Sequence, residues 1–139
     1  WIDAGCGTGI LAILTVKLGA EKVFAFDYDE WPVENSKENI IANNVAPQIE
    51  LVQEKIEYIT LPSADGIAAN MFSNLLISAF PKFYNSLKDN VGDLLVSGIL
   101  KYDKDEVINA ARKNQFKLIE IIDEDEWVAI HFKINKGQD

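Results

Sequence analysis

The chain has 139 residues, 48% hydrophobic and 25% charged, which is enough for one soluble domain with a real core. Its net charge of −9 argues against direct binding to a nucleic-acid backbone, which takes a basic face, and is compatible with a basic protein partner. One cysteine excludes an internal disulfide and a multi-cysteine zinc site, so no metal is expected. No apolar run approaches the ~18–20 residues of a membrane span, no signal peptide opens the chain, and a reduced cytoplasmic compartment is expected.

Trp1 and Ile2 read as the end of a first strand that is expected to be central in its sheet. Apolar residues are expected ahead of Trp1, so residues 1–139 are read as a trimmed domain with any N-terminal domain absent. Asp3 then leads into Gly5-Cys6-Gly7-Thr8-Gly9, three glycines spaced two apart. Glycines admit backbone angles other residues avoid and let a ligand approach bare main chain. The apolar run Ile10-Leu11-Ala12-Ile13-Leu14 follows, within a helix predicted over about 9–18 and stopped by Gly19. Strand, glycine turn and helix N-terminus together make a nucleotide-binding loop. The dinucleotide fingerprint does not fit, because the third glycine comes one residue early; the Walker pattern is absent. Cys6 has no obvious partner to make it a nucleophile.

A second strand is predicted over about 22–27, closed by Asp27, eighteen residues past Gly9. An acid there can accept hydrogen bonds from both hydroxyls of a ribose, as its counterpart does in dinucleotide folds. Tyr28 beside it has two readings, packing on an adenine or plain strand-end packing. Asp29 opens the next helix, about 32–43, with Pro32 just inside and the breaker pair Asn43-Asn44 at its end. A strand over about 49–52 and a weaker one over 64–70 follow. Residues 75–87 read as an amphipathic helix that Pro81 kinks or breaks. A strand over 93–99, a helix over 104–114 and two strands over 116–122 and 126–134 complete the chain. The cluster Asp123-Glu124-Asp125-Glu126 reads as a solvated turn between the last two, which form an antiparallel hairpin. His131, the only histidine, falls in the last strand and is given no role. This alternation makes an α/β sheet with helices on both faces.

An acid before three glycines spaced two apart resembles the first motif of the class I S-adenosylmethionine-dependent methyltransferases. The segments Asp3 to Ile13, Ala69-Asn70, Leu95-Val96-Ser97-Gly98-Ile99-Leu100 and Asp125-Glu126-Trp127-Val128-Ala129 narrow this. Together they resemble the catalytic domain of the bacterial ribosomal protein L-eleven methyltransferase family over essentially the whole chain. The turn Asn90-Val91-Gly92 departs from that family's Pro-Gly-Gly.

The resemblance implies a Rossmann-like class I fold, a mostly parallel seven-stranded sheet ending in an antiparallel hairpin. It implies S-adenosyl-L-methionine as cofactor, with Asp3, Gly5, Gly7 and Thr8 on its methionine portion, Cys6 and Gly9 completing the loop, and Asp27 on its ribose. It places Asn70 where methyl group and acceptor nitrogen meet. Taken by itself, an Asn ending a strand of an open α/β sheet faces the ligand crevice, or else caps the following helix. The implied reaction is N-methylation of lysine or α-amines of the large-subunit ribosomal protein. Two other functions are compatible with these residues: a class I methyltransferase with another acceptor, such as a small molecule, and a non-catalytic α/β interaction domain.

Overall fold

The computed structural model describes residues 1–88 and 92–135, which fall into two compact units, Trp1–Pro62 and the residues from Ser63 onward. Seven strands and four α-helices alternate among them.

The first unit holds β1 (Ile2–Ala4), α1 (Ile10–Lys17), β2 (Val23–Asp27), α2 (Glu30–Ala42) and β3 (Ile49–Gln53). Its strands are parallel, with β2 between β1 and β3; Ala4 pairs with Phe26, and Asp27 with Gln53. Each crossover is a helix, as parallel neighbours require. β2 reads Val-Phe-Ala-Phe-Asp, and Val23, Ala25 and Phe26 are buried. Ala12 of α1 packs with Cys6, Val23 and Ala25, and Ile13 packs with Ile40 and Val45. Gly19, at φ 115, ends α1 as expected of a left-handed terminating residue. α2 starts on Asp29, whose side chain accepts from Trp31 N at 3.3 Å, and ends at Asn43 and Asn44, the latter at φ 58. The start and stop residues read from the sequence therefore act as read.

The second unit holds β4 (Gly66–Asn70), α3 (Ser73–Ser86), β5 (Asp93–Leu100), α4 (Lys104–Lys113), β6 (Phe116–Glu124) and β7 (Trp127–Ile134). β4 and β5 are parallel; β7 runs antiparallel to β5 and to β6, so the C-terminal hairpin forms as expected. Phe80, Phe83, Phe116 and Phe132 are fully buried, and Phe80 meets Phe116 and Phe132 at ring distances of 5.9 and 6.2 Å. His131 Nε2 bonds Asp93 Oδ1 at 2.7 Å, tying β7 to β5.

One expectation is narrowed and another corrected. Of the two alternatives at Pro81, a kink or a break, the break is ruled out: α3 runs unbroken from Ser73 to Ser86. Pro81 lies on the exposed side, where the carbonyl its missing N–H would bond can be solvated, while Phe80 and Phe83 anchor the buried side. The acidic cluster is not all turn: Asp123 and Glu124 pair with Val128 and Trp127, leaving Asp125 and Glu126 as a two-residue turn. Asp125 takes φ 53, which Asp tolerates better than most residues. In the turn Asn90-Val91-Gly92, Asn90 and Val91 lie outside the described residues. Among the described residues no helix is long and apolar enough to cross a membrane.

Candidate functional site

The glycine loop begins where β1 ends. The amides of Gly5 and Cys6 both donate to Phe26 O, at 3.0 and 2.9 Å, and bend the chain over the end of β2. Gly9 N then donates to Cys6 O at 2.8 Å and closes the turn into α1. Gly5, Gly7 and Gly9 sit at φ 72, 53 and 84, a region costly for residues with a Cβ, which explains the two-residue spacing. Gly9 has a second reason: a Cβ there would come within 3.2 Å of Ser36 Oγ on α2.

Asp3, next to last in β1, is only 2% exposed. Its Oδ2 accepts from Ala12 N at 3.0 Å, in the first turn of α1. Its Oδ1 is buried and has no protein partner among the described residues. Burial pushes this carboxyl up from 3.8 to about 7; the Ala12 bond opposes the rise and the charge of Asp27 adds to it. Asp27, half-buried, accepts from Gly7 N at 3.1 Å through Oδ2 and from Asp29 N at 3.2 Å through Oδ1. It therefore does turn chemistry and loop chemistry together, and each of its oxygens keeps lone-pair capacity for one more donor.

Burial pushes the Cys6 thiol up to about 11, with its sulfur 3.6 Å from Ser36 Oγ. A thiol protonated at neutral pH is not a nucleophile, in line with its small-residue role in the loop. Thr8 is exposed. Tyr28 is 64% exposed, which does not favour plain strand-end packing.

In the second unit Asn70 closes β4 and is exposed. It is not a helix cap: the residue before α3 is Phe72, and no side chain caps that end. The Asn70 carboxamide instead rests on β5. The ladder between β5 and β7 is irregular between Val96 and Ile99, and there Gly98 takes φ 78. A Cβ on Gly98 would lie 2.5 Å from Asn70 Oδ1. The same glycine lines a cavity of about 340 Å³ with Phe72, Ile77, Leu100, Asp103 and Trp127. Ser73 Oγ donates to Asp103 Oδ2 at 3.2 Å on its wall.

The loop residues Asp3, Gly5, Cys6, Gly7, Thr8 and Gly9 thus meet Asp27 in one unit, and Asn70 closes a strand of the other. The sequence reading missed the cavity beside Asn70, although Trp127 stood in a quoted motif. It also missed Ser36. The available signal was a polar residue in the buried stripe Val33, Ser36, Ile40 of α2.

The family model for ribosomal protein L11 methyltransferase (PrmA) matches residues 1–135. A ribosomal protein L11 methyltransferase of Acetivibrio thermocellus is 38% identical over 129 residues, 93% of this chain and 41% of the relative. One from Alkaliphilus metalliredigens is 36% identical over 138 residues, 99% of this chain and 43% of the relative. The chain spans about two fifths of the length of the curated relatives it matches. The crystal structure of a ribosomal protein L11 methylase from Lactobacillus delbrueckii subsp. bulgaricus matches with TM-score 0.91 and 26% identity, over 96% of this chain and 68% of that one. An S-adenosylmethionine-dependent methyltransferase from Clostridium acetobutylicum shares the fold at TM-score 0.79 and 13% identity, over 96% of this chain and 83% of that one. The fold is the expected mostly parallel, seven-stranded class I methyltransferase fold, and the chain belongs to the ribosomal protein L11 methyltransferase (PrmA) family.

Proposed function

We propose that this chain is the catalytic part of an S-adenosylmethionine-dependent N-methyltransferase whose acceptors are lysine or α-amines of ribosomal protein L11. The observation that carries the reading is the Asp3 carboxylate. A buried carboxylate oxygen without a partner, beside an amide-lined glycine loop, is costly unless a cation answers it. A zwitterionic, cationic cofactor fits that demand. S-adenosylmethionine, when bound, supplies a methyl group on a sulfonium sulfur, already an activated leaving group. In this reading Asp3 answers its positive charge, Gly5, Cys6, Gly7, Thr8 and Gly9 form the loop it lies against, and Asp27 takes the ribose hydroxyls. The exposed Tyr28 ring covers the adenine.

Asn70 is the residue proposed to touch the acceptor. Its Oδ1 accepts a hydrogen bond from the amine and aims the nitrogen lone pair. The amine has to arrive neutral. That costs a lysine roughly 4–5 kcal/mol at pH 7, and an α-amine about 1 kcal/mol. Water takes that proton in this reading, with no protein base. A ribosomal acceptor places the enzyme in the cytoplasm, and the net charge of −9 suits a basic protein partner more than bare nucleic acid.

Calorimetric titration with S-adenosylmethionine and with NAD, for wild type and Asp27→Ala, tests the cofactor. Micromolar binding of the first and none of the second is expected, with about 10–100-fold weaker binding in the variant, as for loss of hydrogen bonds to a charged group. Unchanged affinity in Asp27→Ala would sink the assignment of the ribose site. Methyl transfer to purified ribosomal protein L11, compared with a panel of small-molecule amines, then tests the acceptor. Transfer to the small molecules alone, or to nothing, rejects the protein-acceptor reading.

A further inference from the structure

Helix α2 grips the glycine loop from behind through contacts that the proposed roles leave unused. Ser36 is fully buried, at 0% exposure, on the face that also buries Val33 and Ile40. A hydroxyl there needs a partner, and it donates to Gly7 O at 2.7 Å. Three residues on, and so on the same helix face, Asn39 Nδ2 donates to Thr8 O at 2.8 Å. The flanking carbonyls are committed too: Cys6 O accepts from Gly9 N at 2.8 Å and Gly9 O from Ile13 N at 2.9 Å. Four consecutive carbonyls, Cys6 to Gly9, therefore each have a protein donor.

The amides behave differently. Those of Thr8, Ile10 and Leu11 meet no protein acceptor among the described residues. A peptide unit is planar, with its N–H directed opposite its C=O. Holding the Gly7 carbonyl therefore aims the Thr8 N–H, and holding the Thr8 carbonyl fixes the Gly9 N–H that closes the turn. Glycine-flanked planes turn easily, so without these two anchors the loop would sample orientations that present carbonyl oxygen instead of N–H. Preset donors bind an anion without first being ordered.

We propose that Ser36 and Asn39 are positioning residues for cofactor binding. They hold the Gly7–Thr8 and Thr8–Gly9 peptide planes so that the loop presents amide hydrogens to the carboxylate of an amino-acid-bearing cofactor. The inference rests on the cofactor reading above.

The test uses Ser36→Ala, Ser36→Cys and Asn39→Asp. Asn39 is exposed, and Asp keeps its shape while removing the donor, so the fold stands. Ser36→Cys keeps a weaker donor of similar size and, kept in reductant because it stands beside Cys6, serves as the conservative rescue. Three quantities are read: affinity for S-adenosylmethionine and S-adenosylhomocysteine by calorimetry, kcat at saturating cofactor, and the Thr8 and Gly9 amide resonances of the ligand-free protein. Ser36→Ala and Asn39→Asp are each expected to weaken both ligands about tenfold, with Ser36→Cys in between. The two amide resonances should shift, and kcat should hold within about twofold, because the loop sets binding and not the transfer step. Wild-type affinity in all three variants overturns the inference and leaves the cofactor reading standing. So does lost affinity with unmoved amide resonances, since the residues would then act otherwise than through the loop. Failure of the wild-type chain to bind either ligand rejects the cofactor reading, and this inference with it.

Discussion

Asp3→Asn is expected to make the protein more stable at pH 8 and a poorer cofactor binder at the same time. In the folded chain the Asp3 carboxyl titrates at about 7, against an ordinary 3.8, chiefly because it is buried. Between these values the folded chain holds a proton that the unfolded chain has released. Stability therefore falls as pH rises from about 4 to about 7 and stays lowered above. Asn carries no charge, keeps an oxygen for the Ala12 amide, and escapes the loss. Part of the gain is offset because its NH₂ inherits the unpartnered position of Oδ1.

By this linkage Asp3→Asn is on the order of 3–4 kcal/mol more favourable at pH 8 than at pH 4, and the pH-independent cost of the unpartnered NH₂ leaves a net gain of about 1–3 kcal/mol at pH 8 and a net loss of about 1–3 kcal/mol at pH 4. Denaturant melts at the two pH values measure it, and equal changes at both would refute a role for ionisation. In the role proposed for Asp3, affinity for S-adenosylmethionine should fall by roughly 30-fold or more at pH 8, since the anion that answers the cofactor's positive charge is lost. The wild-type chain should release protons when it binds the cofactor near pH 7, visible as a buffer-dependent calorimetric enthalpy. The titration should then appear in the cofactor KM and vanish from kcat at saturation.

Gly98→Ala is expected to damage stability and the transfer step together. At φ 78 an alanine costs about 1–2 kcal/mol of backbone strain. Its Cβ would also sit 2.5 Å from Asn70 Oδ1, closer than any tolerated contact, so the carboxamide must leave its seat. Misplacing a group near the reacting atoms by about an ångström costs around 100-fold in rate, so in the role proposed for Asn70 kcat should fall by about that factor while cofactor affinity stays near wild type. The double variant with Asn70→Ala separates seat from strain. If Gly98 acts by seating Asn70, the double variant is no slower than Asn70→Ala alone, and it recovers part of the lost stability. Additive losses in rate would show that Gly98 acts on something else.

Both positions mark where reading the chain stops short. The glycines of the loop were legible because the left-handed angles at Gly5, Gly7 and Gly9 are demands on single residues, met by composition at a fixed spacing. Asp27 was legible because one helix between two parallel strands sets its distance from Gly9. The caps at Asp29 and Gly19 and the stop at Asn43-Asn44 are equally local. The break allowed for at Pro81 and the all-turn reading of the acidic cluster failed for one shared reason. Each segment sits on an exposed side whose tolerance depends on what the opposite side buries or pairs with, such as Phe80 and Phe83 for the helix and Val128 and Trp127 for the hairpin.

Taken alone, the sequence determined the strand and helix order, the loop with its acid, the second acid and the family, because periodicity, turn chemistry and short motifs are written in neighbouring residues. Only the tertiary structure decided that Asp3 is buried enough to titrate near neutrality, that Ser36 and Asn39 hold loop carbonyls 29 and 31 residues away, and that Gly98 leaves room for the Asn70 carboxamide. Burial and hydrogen-bond partnership between distant residues are properties of packing, and packing exists only once the chain has closed on itself.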